Sequence, residues 1–184
     1  VKGPNVMLGY YKDPAKTAEV MTGNYFHTGD IGEVSSDGFL KITDRKKEMF
    51  KTSGGKYVAP ALIENELKQS HFIEQVMVIG EGEKMPAALI QPDFEFIKHW
   101  IDRKGKDIKP DNESIATSQI IKDRIQKDVN KANLKFGNWE QVKKIELTSE
   151  IWSIETGFLT PTLKLKRKAI KAHYKDLIEK IYRP

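Results

Sequence analysis

"FIEQVMVIGEGEKMPAALIQPD", residues 72–93, is the stretch whose reading decides the fold. Two apolar runs, residues 72–82 and 85–93, read as strands. The first is almost continuously apolar at its centre, as a strand covered on both faces must be. Helical patterns lie on either side. Upstream, "PALIENELKQS" opens with Pro60, whose missing N–H is harmless in a first turn, and sets Leu62, Ile63 and Leu67 on one face. Downstream, "FEFIKHWIDRKG" presents Phe96, Ile97, Trp100 and Ile101 inward and stops at Gly105. "NESIATSQIIKDRIQKDVNKANLKF" reads as one helix, with Ile121, Ile125, Val129, Ala132 and Phe136 on a stripe that ends before Gly137. "WEQVKKIELTSE" is one more strand. After an irregular stretch to about Thr162, a final helix turns Ile170, Tyr174, Leu177, Ile178 and Ile181 inward.

The region before Pro60 is β-rich. "GNYFHTGDIGEVSSDGFLKITDR", residues 23–45, reads as a hairpin turning at Asp37-Gly38. "KKEMFKTSGGKYVAP", residues 46–60, reads as a second hairpin around Gly54 and Gly55. The two parts meet near Asp44-Arg45, where an apolar strand runs into the charged "DRKKE". The expected class is α+β: a β-rich head, then a unit of interleaved strands and helices.

Composition bounds the function more loosely. The 184 residues are 39% apolar with eight Phe and three Trp, enough for a packed core. No apolar run approaches the ~18 residues of a membrane span. Cysteine is absent, which removes a disulfide frame and thiolate metal sites and fits a cytoplasmic protein. Attachment at the inner membrane face stays open. The chain begins mid-phrase at "VKGPNVMLGYY", as a piece of a longer protein does. The net charge of +5 is compatible with anionic small molecules, an anionic membrane surface or nucleic acid, and selects none. It is concentrated from Lys164 onward, where eight Lys or Arg stand against Asp176 and Glu179.

Four places could carry chemistry. Asp30, at the end of "HTGD", can accept two hydrogen bonds from a ribose diol, or can bond its own backbone as turn aspartates do. Arg45 carries a fixed, forked cation suited to ribose or phosphate oxygens. Gly54 and Gly55 allow a ligand close to bare backbone. Lys164, in "LTPTLKLKRKAI", can reach from a loop to neutralise charge developing on a carboxylate or phosphate; otherwise it is a solvated cation. His27, His71, His99 and His173 are dispersed and have no metal-ligand spacing. Walker-type phosphate loops, GxGxxG and nucleophile elbows do not occur.

The order and separation of these segments say more than any one of them. "GYYKDPAKTAEVMTGNYFHTGDIGEVSSDGFLKITDRKKEMFKTSGGKYVAPALIENEL", followed far downstream by "LTPTLKLKRKAI", resembles the C-terminal part of the adenylate-forming enzyme superfamily. Within it, "KTSGGKYVAP" paired with "GFLTPTLKLKR" is most similar to the long-chain fatty-acid-CoA ligase branch. The resemblance implies residues 1–44 as the tail of a large adenylating domain and 45–184 as a mobile C-terminal domain. It implies Asp30 and Arg45 on the ribose of ATP or AMP, Lys47 at the hinge, and Gly54 and Gly55 along the coenzyme A tunnel. It implies Lys164 on the acyl carboxylate and α-phosphate, with Mg²⁺ accompanying the nucleotide. Family members carry Gly directly before that lysine; here it is Leu163, and Lys166 stands close by as a second lysine. The "TSGGKY" hairpin is also one residue longer than in many relatives.

The implied activity is ligation of a fatty acid to coenzyme A through an acyl-adenylate. The implied partners are small-molecule substrates, bound largely by parts of the enzyme upstream, so these 184 residues alone are expected to be inactive. Peripheral membrane contact stays open, and no nucleic acid is expected. Two other readings compete: an adenylating ligase for a different carboxylic acid, and a non-catalytic module binding anions or RNA through the basic C-terminal face. RNA readers interleave aromatic and basic residues, whereas the aromatics here sit at core spacing.

Overall fold

The computed structural model describes residues 1–183. The chain divides into two compact units, 1–48 and 49–184.

The first unit opens with helix α1 (Pro14–Val20). Asp13 caps it by accepting from the Lys16 N–H at 2.9 Å, and Pro14 occupies the first turn. Strands β1 (Met21–Thr22) and β2 (Tyr25–Phe26) form a short antiparallel ladder. Strands β3 (Asp30–Val34) and β4 (Leu40–Arg45) form the hairpin expected from the sequence, and Gly38 supplies φ +83° at its turn. The hairpin is shorter than expected, because Tyr25 and Phe26 pair with Met21 and Thr22 instead. Its register slips between Ile31 and Gly32, where a Cβ on Gly32 would lie 2.9 Å from the Lys41 carbonyl oxygen. The unit buries little: Phe39 is 72% and Leu40 65% exposed, and Val34 and Ile42 are also open.

Residues Lys46–Glu48 form a turn. The second unit begins with the expected hairpin of β5 (Phe50–Lys51) and β6 (Tyr57–Val58). Helix α2 (Pro60–Leu67) follows, then β7 (Ile73–Ile79) and β8 (Ala87–Pro92). Helices α3 (Phe94–Lys104), α4 (Asn112–Thr117) and α5 (Gln119–Asn133) precede β9 (Lys144–Leu147). Helices α6 (Arg167–His173) and α7 (Lys175–Tyr182) close the unit. The sheet runs β7-β8-β9, with β7 and β8 antiparallel and β8 and β9 parallel.

Both faces of this sheet are covered, so β8 is buried along its whole length. Strand alternation sends Val76, Val78, Ala88 and Ile90 to one core, packed with residues of α2, α3, α4 and α5. Met77, Ile79, Ala87 and Leu89 go to the other, with Trp152, Phe158, Leu159, Ile170, Tyr174 and Ile181. The expected helix across 112–136 is two helices. Ser118, at φ −70° and ψ 120°, ends α4, and its hydroxyl caps α5 by accepting from the Ile121 N–H. The final helix is likewise broken at Tyr174, whose buried phenol accepts from Trp152 Nε1 at 3.2 Å. Phe94 is buried in α3, while Phe96 and Trp100, expected inside, are only partly covered. Among the described residues no helix is long and apolar enough to cross a membrane.

Candidate functional site

Three local arrangements hold the residues singled out in the sequence. The first is the open end of the β3–β4 hairpin. Its register sets Asp30 directly opposite Arg45, and Arg45 Nε lies 2.9 Å from Asp30 Oδ1. The Asp30 N–H donates to the Thr28 hydroxyl at 3.1 Å. The carboxylate is therefore turned to the Arg45 guanidinium rather than to its own backbone. The contact uses one oxygen and one nitrogen, which leaves Asp30 Oδ2 and the terminal nitrogens of Arg45 able to engage hydroxyls. Lys47 follows in the turn after β4, where the Glu48 N–H donates to the Arg45 carbonyl at 2.9 Å.

The second arrangement is the tip of the β5–β6 hairpin. Thr52 closes it: its N–H donates to the Lys56 carbonyl, and its carbonyl accepts from the Gly55 N–H, each at 2.9 Å. Gly55 sits at φ +79°, a left-handed conformation glycine adopts without strain. A Cβ at Gly54 or Gly55 would meet nothing closer than 3.7 Å, so the pair presents bare, accessible backbone. Two main-chain bonds, Ser53 N–H to Glu83 and Gly82 N–H to Lys51, tie the hairpin to the β7–β8 connection.

The third is the loop carrying Lys164. Leu159 and Leu165 form an antiparallel bridge, and the Lys166 N–H donates to the Phe158 carbonyl at 2.8 Å. Inside the bridge Thr160 organises a tight turn, accepting from the Leu163 N–H at its carbonyl and from the Lys164 N–H at its hydroxyl. Leu163 takes φ +58°, the left-handed region. Glycine adopts that conformation freely, whereas Leu163 meets it under strain while 65% exposed. Leu165 turns toward the core, and Lys164 and Lys166 flank it. Both are exposed, and neither makes an ion pair among the described residues.

One residue pair here was not anticipated from the sequence. Arg167, the first residue of α6, forks onto Glu64 of α2, Nη1 to Oε1 at 2.8 Å and Nη2 to Oε2 at 2.7 Å. Glu64 is 6% exposed and also accepts the Val78 N–H at 2.7 Å. The signal was legible in principle. Pro60, Ile63, Glu64 and Leu67 share the buried stripe of α2, and an acid on such a stripe requires a cation.

Among the described residues no group of His, Asp or Glu converges to hold a metal. His173 pairs with Glu150, His27 with the Thr22 hydroxyl, and His71 stacks against Phe96. Burial raises the Tyr174 and Tyr182 phenols above their usual range, so both stay neutral at physiological pH, and Tyr182 donates to the Met85 carbonyl at 3.2 Å.

The chain is similar to known proteins along nearly its whole length. The chain is 40% identical to human long-chain-fatty-acid–CoA ligase 1 over 99% of its length, covering 26% of that protein. It is 40% identical to fatty acyl-CoA synthetase B of Dictyostelium discoideum, covering 27% of it. It is 38% identical to long-chain-fatty-acid–CoA ligase FadD15 of Mycobacterium tuberculosis, covering 30%. The chain therefore spans between a quarter and a third of these relatives. Among solved structures, the A domain of a carboxylic acid reductase from Segniliparus rugosus, in complex with AMP and a co-purified carboxylic acid, superposes with a TM-score of 0.77 at 25% identity. That match covers 98% of this chain and 27% of the other. With residues 48–184 matching the family described as AMP-binding enzyme C-terminal domain, the chain belongs to that family.

Proposed function

We propose that the chain is the C-terminal part of an AMP-forming long-chain fatty-acid–CoA ligase. In this reading residues 1–44 complete a large adenylating domain, and 45–184 are the domain that moves against it. The observation that carries it is the Thr160–Lys166 turn, which exposes Lys164, the lysine that the sequence resemblance assigns to the acyl carboxylate. Near-full-length identity to ligases of this class supports the substrate. The exposed Val34, Phe39, Leu40 and Ile42 support the assignment of the first unit, because an apolar hairpin face of this kind calls for a larger body to cover it.

The reaction has two displacements. A carboxylate oxygen of the fatty acid attacks the α-phosphorus of ATP, and pyrophosphate leaves. The coenzyme A thiolate then attacks the acyl carbon, and AMP leaves. Asp30 and Arg45 hold the ribose hydroxyls in both steps. Lys164 lies between carboxylate and α-phosphate in the first, offsetting the charge that gathers at phosphorus. A turn about Lys47 then withdraws the lysine and brings the backbone of Gly54 and Gly55 alongside the pantetheine arm. Mg²⁺ accompanies the nucleotide's phosphates in such reactions. The described residues offer no carboxylate cluster that fits it.

The test is pyrophosphate release from ATP and palmitate. The full-length protein is expected to turn over and these 184 residues alone are not. Turnover by the short chain, or activation of a short acid in preference to palmitate by the full protein, would overturn the assignment.

A further inference from the structure

We infer that Glu64 and Arg167 are positioning residues for adenylation: their fork fixes the direction in which the loop presents Lys164. This rests on the role proposed for Lys164. Arg167 lies three residues beyond that lysine, at the junction of loop and helix. At that junction Lys166, the N-cap of α6, makes no side-chain capping bond, and the first turn of α6 carries no acid. The Leu159–Leu165 bridge and the bonds between Thr160 and Lys164 hold the strand side of the loop, and leave to side chains the direction in which it enters α6.

The fork closes that freedom. Two parallel N–H to oxygen bonds fix a plane as well as a distance, which a single contact does not do. Both carboxylate oxygens of Glu64 are used, and the Val78 N–H of the central sheet pins Oε1 in turn. The loop is thus referenced to the three-stranded sheet. Glu64 lies on α2, which begins directly after the Gly54–Gly55 hairpin, so the clamp also sets the two functional elements in one frame. Lysine's long stem magnifies any rotation at its root. A displacement of about 1 Å at a reacting group can cost on the order of 10²-fold in rate.

A purely structural ion pair would stabilise the unit without favouring either half-reaction, and two measurements separate the cases. In the full-length enzyme, Arg167→Lys keeps the charge and loses the fork, and Glu64→Gln keeps the shape and the Val78 acceptor. Each is expected to slow adenylate formation about 10²-fold while leaving thioester formation from supplied acyl-adenylate close to normal. Neither is expected to slow a Lys164→Ala enzyme further, since there is no lysine left to aim. In the 184-residue chain, trypsin is expected to cut faster after Lys164 and Lys166 in both variants, with other sites unchanged. Equal losses in both half-reactions, additivity with Lys164→Ala, or faster cutting throughout the chain would reduce the pair to a structural one. A Lys164→Ala enzyme that adenylates normally would remove the lysine's role itself, and the clamp's purpose with it, whatever the protease showed.

Discussion

Removing Arg167 should expose how much of the second unit's stability is committed to the buried fork. In the intact protein the Glu64 carboxylate is 6% exposed, and in Arg167→Ala it loses both bonds of the fork while the Val78 N–H still donates to it. Breaking a buried ion pair by deleting one partner costs about 3–5 kcal/mol, because a charge is left without its counter-ion. Arg167 is 20% exposed at its side chain, so the low end of that range is the sounder expectation. Replacing both residues, Glu64→Leu with Arg167→Leu, removes the stranded charge. What remains is the Val78 N–H without an acceptor, worth about 1–3 kcal/mol. The double variant should therefore be more stable than Arg167→Ala. The assay is built into the sequence: Trp100, Trp139 and Trp152 all lie in the second unit, so tryptophan fluorescence in urea follows that unit alone. For a unit of this size, 3 kcal/mol corresponds to roughly 10 °C in Tm. A loss below about 1 kcal/mol in Arg167→Ala, the value of a surface pair, would refute the claim that the carboxylate is desolvated. So would a double variant less stable than the single one.

In the full-length enzyme, Lys164→Ala is expected to slow adenylation ~10²–10³-fold and spare thioester formation; half-reaction kinetics check this, and the same loss in Lys166→Ala instead would move the role two residues on. Asp30→Ala is expected to weaken AMP and ATP alike by about tenfold to a hundredfold, read by titration calorimetry, from the loss of roughly 1.5–3 kcal/mol of charged hydrogen bonding. Its melting should hardly change, because the exposed Arg45 is simply returned to water. Lys47→Pro fixes φ near −65° in the turn between the units, so stopped-flow kinetics should show one half-reaction surviving and the other falling by orders of magnitude. Leu163→Gly relieves a left-handed residue that costs about 1–2 kcal/mol, part of which returns as glycine's backbone entropy, so its Tm should rise slightly while that of the stiffer Leu163→Val falls.

The sequence revealed what depends on local pattern. Residues 72–93 read as two strands because their apolar content has nowhere to go but a covered sheet, and both were found. Gly105 ended its helix in the left-handed conformation, and the Asp37-Gly38 turn closed its hairpin. The misreadings fall where a short-range competitor ended a helix read as continuous. The apolar stripe read for 112–136 begins at Ile121, and Ser118 just before it is polar; its hydroxyl satisfies the next helix start better than it fits a helix interior. Tyr174 likewise keeps helical spacing for its ring, but bonds its phenol to Trp152 across the core, and the helix breaks there.

Site residues divide the same way. Asp30 and Arg45 are 15 positions apart, and only the hairpin register, with its slip at Gly32, makes them neighbours. The Asp37-Gly38 turn alone would set Asp30 opposite Asp44; the slip between Ile31 and Gly32 brings Arg45 there instead, so the sequence places the pair only to within one residue. Glu64 and Arg167 stand 103 positions apart, on two helices whose approach depends on how both cores pack against the sheet. No turn or period links them. What the sequence does hold is a contradiction at each end: an acid within an apolar stripe, and an arginine opening a helix where the backbone favours an anion. Each residue is locally unfavourable, and the two become favourable only together. Such paired local exceptions, rather than the motifs themselves, are where long-range positioning can be sought in a single sequence.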